Sequence, residues 1–284
     1  MNPEKEVEKH YDTQARLSLQ QSRRESPYIS LRNFHNWVKN IILARCVREG
    51  DVVVDLCSGK GGDIHKLENL RPRKAYFIDI SPESVAESKR RFFSRTRKNY
   101  EGVFITGDCF DGTLDKKILE QVDSVSCQFS LHYAFSSEER ISGVLRNIHD
   151  ILVPGGLFFG VCADGDRVLE ATEYGKVQKI SGLCTLVLPR LVSPHESGVG
   201  VEYKFYMKDL VEGCPEYIVR RRVFEDSVKS AGFRVLECCG LWEFSQKAKS
   251  GDLWRKVHSQ CVLSLGERAI SGLYFVFCVQ KDKR

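Results

Sequence analysis

Short apolar segments alternate with amphipathic segments along most of this chain, and the alternation limits the folds it can adopt. Seven segments of strand length are rich in apolar, β-branched and aromatic residues, at 52–56, 75–80, 103–106, 123–129, 157–162, 233–239 and 273–279. Segments of helical length separate the first five of them. Strands that alternate with helices form βαβ units, which assemble into a parallel sheet covered on both faces. The sequence therefore predicts an α/β fold with a doubly wound sheet.

The segment 138–152 has the clearest helical spacing, with apolar residues three or four positions apart. Ser137 precedes it as a candidate N-cap, and the Pro-Gly-Gly sequence at 154–156 predicts its end. Further helices are predicted at 36–47, 64–70, 82–95 and 116–121.

The domain organisation follows from where this alternation begins and where it is interrupted. Residues 1–35 are polar and are predicted to form an arm that lies over the domain. Residues 36–284 are predicted to form a single domain, a length that one α/β unit accommodates. A stretch rich in proline, glycine and tyrosine, at about 183–217, is interpreted as an insertion rather than a second domain.

Composition narrows the class of protein. With 42% hydrophobic and 29% charged residues, the chain is too apolar for wholesale disorder. No apolar run approaches the roughly 18 residues of a membrane helix, and the N-terminus is too charged for a signal peptide. The eleven cysteines lack any Cys-x-x-Cys pair, which predicts reduced core thiols rather than disulfides or a metal site. We expect a soluble protein of the cytosol or nucleus.

A glycine-rich turn at residues 57–63 follows the first predicted strand and precedes a helix. Glycines at such a turn let the backbone approach a ligand closely. The spacing of Cys57, Gly59 and Gly62 is that of dinucleotide-binding turns, with cysteine in place of the first glycine. No Gly-Lys-Ser/Thr sequence completes the turn, which excludes a P-loop.

Polar residues end the next three predicted strands. Asp79, Asp108 and Gln128 stand at these positions, and Asp79 lies twenty residues after Gly59, where an acidic residue accepts from ribose hydroxyls. Ligands of such sheets bind at the carboxyl ends of the strands. Either aspartate alone could instead cap a helix, but the set together favours a nucleoside-type cofactor.

Two such cofactors fit the pattern. A nicotinamide dinucleotide needs room for a pyrophosphate, and the bulkier Cys57 replaces the first glycine of its turn. S-adenosylmethionine carries no phosphate, and Asp55 or Asp63 could face its charged amino and sulfonium groups. The residues therefore favour a methyl donor.

Five segments bear on the class of protein, and together they span nearly the whole chain. They lie at 26–39, 55–63, 126–135, 215–217 and 272–277. Two of them carry specific motifs, Phe-x-Asn-Trp-x-Lys at 34–39 and Gln-Phe-x-x-His-Tyr at 128–133. In these segments the chain resembles the mRNA cap guanine-N7 methyltransferases. The resemblance implies a class I methyltransferase fold, with a seven-stranded sheet whose last strand is antiparallel. It implies transfer of a methyl group from S-adenosylmethionine to N7 of the guanosine of a GpppN-RNA cap, with S-adenosylhomocysteine as product.

The resemblance also implies two sets of contact residues. Contacts to the cofactor are expected from Lys39, Cys57, Gly59, Asp63, Asp79, Asp108, Gln128 and Tyr133. Contacts to the cap are expected from His35, Asn36, Lys60, Lys66, Arg91, His132, Tyr133, Glu216 and Tyr274. The sequence departs from the family pattern at Cys57, where glycine is usual, and at His35, where asparagine is common.

The chemistry agrees with this expectation. Guanine N7 carries a lone pair and no proton, so its attack on a sulfonium methyl needs alignment of the reactants rather than a general base. Glu216 suits the N–H donors on the Watson–Crick edge of guanine, and Tyr133 or Tyr274 could stack on the base. Lys60, Lys66 and Arg91 could neutralise the triphosphate.

Charge is distributed unevenly. The formal net charge is only +5, but residues 60–100 hold eleven Lys or Arg and five Asp or Glu. This excess predicts a basic path for the triphosphate and the first nucleotides.

Three alternatives remain open at this point. They are a small-molecule methyltransferase on the same fold, a non-catalytic cap- or RNA-binding module and, less favoured, a nicotinamide oxidoreductase. We expect capped RNA 5′ ends as the partner, with other capping enzymes or the transcription machinery as further candidates. A nuclear, monomeric protein without metal or membrane contact is expected.

Overall fold

The computed structural model describes residue 12 and residues 28–96, 99–180, 182–207, 211–248 and 262–283. The strands are β1 (Val52–Leu56), β2 (Lys74–Asp79), β3 (Glu101–Thr106), β4 (Val122–Gln128), β5 (Leu152–Ala163), β6 (Val177–Ile180), β7 (Cys184–Val187), β8 (Glu202–Met207), β9 (Val211–Tyr217), β10 (Phe233–Gly240) and β11 (Tyr274–Lys281). The helices are α1 (Ile29–Cys46), α2 (Ile64–Leu70), α3 (Pro82–Phe93), α4 (Leu114–Lys117), α5 (Glu138–Ile151), α6 (Gly165–Ala171), α7 (Arg221–Ser230), α8 (Leu241–Lys247) and α9 (Leu265–Ser271). A 3₁₀ helix spans Leu131–Ser136.

The main sheet has seven strands in the order β10-β11-β5-β4-β1-β2-β3. Strands β1 to β5 pair in parallel. Strand β11 is antiparallel to both of its neighbours, β5 and β10, so it alone runs against the other six. The predicted seven-stranded α/β sheet with an antiparallel last strand is confirmed.

Both faces of this sheet are covered, as its continuous apolar strands require. Every residue of β1 is buried: Val52, Val54 and Leu56 pack in the core that contains α5 and α7. Val53 packs on the opposite face, in the core that contains α1, α2 and α8. The alternation of side chains along a strand therefore divides β1 between two cores.

Helix α1 begins earlier than the sequence indicated. It was expected at 36–47 but begins at Ile29, because Leu31 and Phe34 extend its buried face by two turns. Residues 29–35 thus belong to this helix and not to a polar arm lying over the domain. Of the rest of the predicted arm, 1–11 and 13–27 lie outside the described residues. Asp12 is described, and its Oδ1 accepts a 2.5 Å hydrogen bond from Ser81 Oγ.

The predicted insertion is a second, four-stranded antiparallel sheet in the order β6-β7-β8-β9. It spans 177–217 and so begins six residues before the expected 183. Leu186, Tyr203 and Phe205 lie in its apolar core, which also includes Leu31 of α1 and Ile270 of α9. This packing holds the insertion sheet against α1, which also covers one face of the main sheet.

The end of the fifth predicted helix differs from the expectation. Helix α5 ends at Ile151, and β5 begins at Leu152 without an intervening turn. The Pro-Gly-Gly sequence at 154–156 therefore lies within β5, next to an irregularity in its pairing with β4 between Val122 and Ser124.

Two further properties concern the described residues. None of the helices in these ranges is both long and apolar enough to cross a membrane. The side chains of nine cysteines are described, all as free thiols, and seven of them are buried.

Ser137 caps α5, as predicted, by accepting a hydrogen bond from the backbone N–H of Arg140 at 3.2 Å. Ser137→Ala is expected to lower the free energy of unfolding by about 1 kcal/mol, because that N–H would lose its partner. Chemical denaturation measures the change. Ser137→Asn retains a capping oxygen and should stay close to wild type; an alanine variant of unchanged stability would contradict the capping role.

Candidate functional site

A cleft opens at the carboxyl ends of the parallel strands. Its lining residues are Cys57, Gly59, Asp79, Ile80, Asp108, Cys109, Phe110, Ser130, Tyr133, Ser136, Arg140, Pro215 and Tyr217. Five residues expected to contact a cofactor, namely Cys57, Gly59, Asp79, Asp108 and Tyr133, are thus brought together.

Asp79 organises the glycine turn from the end of β2. Its Oδ2 accepts a hydrogen bond from the backbone N–H of Gly59 at 2.8 Å, and its Oδ1 accepts one from Ser81 N–H at 3.0 Å. Burial raises the pKa of the carboxyl above its usual value, although both hydrogen bonds oppose the shift. Ser81 is the N-cap of α3, so Asp79 is not. Each of its oxygens retains a lone pair for a ligand hydroxyl.

Asp108 follows β3 by two residues and also lines the cleft. Its Oδ1 accepts from Phe110 N–H at 2.8 Å, and its Oδ2 accepts from Arg140 at 2.5 Å. The buried ring of Phe110 and the side chain of Ile80 give this part of the cleft an apolar lining. Carboxylates next to apolar side chains suit a nucleoside, whose flat base and polar hydroxyls need both.

The backbone at Cys57 adopts a conformation that favours glycine. Cys57 has a φ of +54°, in the left-handed region that glycine adopts without steric cost. Its N–H donates to Cys109 Sγ at 3.2 Å. The cysteine is therefore accommodated at a strained position whose backbone turns toward the cleft.

Asp63 lies at the centre of a buried ion network next to the turn. Lys39 Nζ lies 2.9 Å from Asp63 Oδ1, and Lys66 Nζ lies 2.6 Å from the same oxygen. Burial alone would raise the pKa of Asp63, but the two ammonium groups lower it below its usual value. Burial and the charge of Asp63 raise the pKa of Asp55, whose Oδ2 has no hydrogen-bond partner among the described residues.

Lys66 is committed to this network rather than exposed to a phosphate. Besides Asp63, its ammonium donates to Gly62 O at 3.1 Å and to Asn36 Oδ1 at 3.2 Å. Its side chain is only 1% exposed. The geometry thus assigns Lys66 an interior structural contact and brings it together with Asn36, another residue expected at the cap.

An aromatic cluster joins α1 to the ends of β4 and β11. The ring centroids of His35 and Phe129 are 5.0 Å apart, and Tyr274 lies 5.5 Å from His35 and 5.1 Å from Phe129. Phe129 has a φ of +63°, which is strained for an aromatic residue. The chain turns at this strained residue directly after β4. The rings of His35 and Tyr274, both expected at the cap, lie next to it.

His35 is expected to make folding stability depend on pH. Burial and the charge of Lys39 lower its pKa from 6.5 to about 3, so the unfolded chain gains a proton below pH 6.5 that the folded protein does not. The free energy of unfolding should therefore decrease as the pH is lowered below 6.5. The loss that comes from His35 should reach up to about 2 kcal/mol by pH 5. Denaturation of wild type and His35→Asn at pH 7.5 and 5.0 measures this.

The control for this measurement is His195→Asn, which alters an exposed histidine. An acid-sensitivity of His35→Asn equal to that of wild type would contradict the assignment.

A second polar cluster lies beside the cleft. His132 is 3% exposed, and neither of its ring nitrogens has a hydrogen-bond partner among the described residues. Burial lowers its pKa, although the nearby Glu216 carboxylate opposes the shift. The Tyr133 ring centroid lies 4.2 Å from that of His132. Glu216 itself accepts a hydrogen bond from Tyr203 Oη.

Gln128, like His132, has a buried polar atom without a hydrogen-bond partner among the described residues. It ends β4, as predicted, and its Nε2 donates to Ser126 Oγ at 3.0 Å. Its buried Oε1 has no partner within the part of the chain that is described. Buried polar atoms normally find partners, so the unpartnered atoms of Gln128, His132 and Asp55 are candidates for contacts to a polar ligand.

Many cations of the basic segment 60–100 form ion pairs. They lie within ion-pair distance of acidic side chains at Lys66, Arg71, Arg73, Lys74, Arg90, Arg91 and Arg95. Some partners come from outside the segment, such as Glu49 and Glu120. Arg97 and Lys98 lie outside the described residues. Acids from outside the segment therefore lower the local positive charge, and the basic path remains a prediction.

Lys60 and Arg91 are not among the residues that line the described cleft. Arg91 lies on α3, where its Nε donates to Glu87 at 2.7 Å. Their expected role at the cap remains a prediction.

Sequence reasoning did not identify several cleft residues. Ile80 and Phe110 closely follow Asp79 and Asp108 in sequence. That proximity was the one available signal that they line the cleft. Arg140 reaches Asp108 across 32 positions of the chain, and Tyr203 reaches Glu216 across the insertion sheet. Such contacts depend on the tertiary fold and carry no local signature.

Comparisons with known proteins agree with this geometry. The profile of the mRNA (guanine-N(7))-methyltransferase domain matches residues 1–281. The mRNA cap guanine-N(7) methyltransferase 1 of Oryza sativa subsp. japonica is 27% identical over 97% of this chain and 80% of its own length. The mRNA cap guanine-N(7) methyltransferase of Meyerozyma guilliermondii is 35% identical over 80% of this chain and 46% of its own length.

The fold has similar solved structures. One is an S-adenosylmethionine-dependent methyltransferase from Clostridium acetobutylicum, with a TM-score of 0.55, 13% identity, and coverage of 92% of this chain and 94% of the other. At that identity the likeness concerns the fold alone. S-adenosylmethionine is the cofactor of the matched family. The chain therefore belongs to the mRNA (guanine-N(7))-methyltransferase family.

Proposed function

We propose that this enzyme methylates N7 of the terminal guanosine of GpppN-ended RNA. The observation that carries the proposal is the buried His132, with both ring nitrogens unpartnered among the described residues, near the carboxylate of Glu216. Pro215 and Tyr217 flank Glu216 in sequence and line the cofactor cleft, so this polar cluster adjoins the cleft. A methyl acceptor at the cluster would lie next to the donor.

The residues present fit S-adenosylmethionine. Asp79 would accept from the ribose hydroxyls, Asp108 would lie near the adenine amine, and Ile80 and Phe110 would contact the base. The unpartnered Oε1 of Gln128 offers an acceptor near the same strand edge. When bound, S-adenosylmethionine supplies a methyl group activated by the adjoining sulfonium.

The acceptor cluster suits guanine in particular. A carboxylate such as Glu216 accepts from both N1–H and the N2 amine, a pair of donors that adenine does not present. The low pKa of His132 keeps its imidazole neutral, so one ring nitrogen donates and the other accepts. The aromatic rings of Tyr133 and Tyr274 would contact the base faces, where stacking contributes about 1–3 kcal/mol per base.

We propose further that the protein accelerates the transfer by alignment, without a general base. N7 of guanine has no proton to remove, so the protein needs only to hold the nucleophile in line with the methyl group. Such positioning contributes roughly 7–11 kcal/mol toward a barrier. Tyr203 and the strands β8 and β9 hold Glu216, while β4 and the 3₁₀ helix hold His132 and Tyr133.

The experiment that tests this function is methyl transfer from labelled S-adenosylmethionine to RNA ending in GpppA, with digestion and mass spectrometry to locate the methyl group. We expect 7-methylguanosine at the cap and no transfer to the same RNA with a 5′ triphosphate. Equal transfer to uncapped RNA would contradict the proposal, and transfer only to small molecules would favour a small-molecule methyltransferase. Binding of capped RNA without transfer would favour a cap-binding module.

A nuclear location is part of the proposal, since mRNA capping enzymes are generally nuclear. Imaging of the tagged full chain tests it, and exclusion from the nucleus would contradict it.

A further inference from the structure

Tyr203 and Glu216 form a directly opposed pair in the insertion sheet, Tyr203 on β8 and Glu216 on β9. Tyr203 is 2% exposed, and its hydroxyl donates to Oε2 of Glu216. Burial and the negative charge of Glu216 raise the pKa of Tyr203 well above its usual value. The hydroxyl therefore stays protonated and donates at any physiological pH.

We propose that Tyr203 is a positioning residue that sets the selectivity of the acceptor site for guanine, acting through Glu216. The inference rests on the proposed function. A glutamate has three rotatable side-chain bonds, and an unheld carboxylate can turn to follow different donors. Tyr203 fixes one of the two oxygens from the core side. A carboxylate has about four lone-pair sites, so one that accepts from Tyr203 through Oε2 can still accept two N–H groups.

The packing around Tyr203 supports a fixed carboxylate. Its ring lies in the core of the insertion sheet with Phe205 and Leu186, which leaves it little freedom to move. Tyr274 packs against the same core, and its proximity also raises the pKa of Tyr203. The insertion thus links two residues expected at the cap, Glu216 and Tyr274, to one buried hydroxyl.

Inosine distinguishes a Glu216 carboxylate fixed in one orientation from a carboxylate that can rotate. Its base keeps N1–H but lacks the N2 amine, so it offers Glu216 one donor where guanine offers two. A carboxylate held for both donors leaves one acceptor unpaired with inosine and discriminates against it. A carboxylate free to rotate recovers part of that loss by turning toward N1–H. Removal of the Tyr203 hydroxyl should therefore reduce the preference for guanosine over inosine.

The test compares wild type with Tyr203→Phe on RNAs ending in GpppA and IpppA. For GpppA we expect kcat/KM to fall about tenfold, mainly through a higher KM, because a hydrogen bond to a charged group is lost. The ratio of kcat/KM for GpppA over IpppA should fall several-fold. Affinity for S-adenosylmethionine, measured by calorimetry, should be unchanged. The matched control is Tyr206→Phe, which alters an exposed tyrosine on the same strand and should behave as wild type.

A double-mutant cycle with Glu216→Ala, which removes the acceptor of the Tyr203 hydroxyl, tests whether Tyr203 acts through Glu216. In the Glu216→Ala background, Tyr203→Phe should produce no further change in the guanosine-to-inosine ratio. An unchanged ratio in Tyr203→Phe, additive effects in the cycle, or an equal loss of cofactor affinity would each overturn the inference. Failure of the proposed function is distinguishable, because wild type would then not methylate GpppA-ended RNA.

Discussion

Asp79→Ala is expected to weaken S-adenosylmethionine binding about 100-fold. The substitution removes the acceptors of two backbone N–H groups, those of Gly59 and Ser81, and with them the oxygens available to the ribose hydroxyls. A hydrogen bond to a charged group contributes about 1.5–3 kcal/mol, so the loss of two such bonds at the ligand corresponds to this factor or more. Isothermal titration calorimetry measures the affinity.

The matched control is Asp115→Ala, which removes an exposed aspartate of α4. Asp79→Asn should give an intermediate loss, because one side-chain oxygen remains as an acceptor while the amide nitrogen opposes the other N–H. Thermal melting without cofactor separates ligand contact from loop stability. Wild-type affinity in an Asp79→Ala protein that melts normally would refute the assignment of this carboxylate to the donor.

The main sheet was predictable because its signals are local. The central strand β1 is a short apolar run buried on both faces, and α5 carries its own apolar stripe and its own cap at Ser137. Those properties are legible in a window of a dozen residues. The carboxyl edge of the sheet then places Asp79 and Gln128 near the glycine turn without further information.

The insertion and the first helix were predicted less well for a physical reason. Strands β6 to β9 pair only with each other, and their core forms against α1 and α9, far along the chain. Turn residues in this stretch resemble an irregular loop until their partners are known. Leu31 and Phe34 continue the helical spacing of Trp37 and Ile41, but polar residues separate them and the segment was interpreted as part of a polar arm.

Charge was the least predictable property of the site. Lys66 was expected at the triphosphate, but Asp63, Asn36 and a backbone carbonyl surround its ammonium group. A count of charges along the chain cannot include acids such as Glu120, which approaches Lys74 from 46 positions away. Exposed pairs of this kind contribute little to stability, yet they reduce the charge that the surface presents to RNA.

Glu216→Ala is expected to reduce kcat/KM for GpppA-ended RNA at least about 100-fold while cofactor affinity stays near wild type. The carboxylate is the acceptor proposed for both Watson–Crick donors of guanine, and a site built to bond such groups loses strongly when its partner is removed. Methyl transfer and calorimetry on the same preparation measure the two quantities. Glu173→Ala, at an exposed surface pair with Lys176, is the control.

One complication of Glu216→Ala has a specific remedy. The substitution leaves the buried hydroxyl of Tyr203 without its acceptor, which should lower the free energy of unfolding by about 1–3 kcal/mol. The double variant Glu216→Ala/Tyr203→Phe removes both partners and should recover part of that stability without recovering activity. Loss of cap methylation with intact donor binding, opposite to the result expected for Asp79→Ala, assigns the two carboxylates to different substrates. If Glu216→Ala lost cofactor affinity instead, the division of the site into a donor half and a cap half would be wrong.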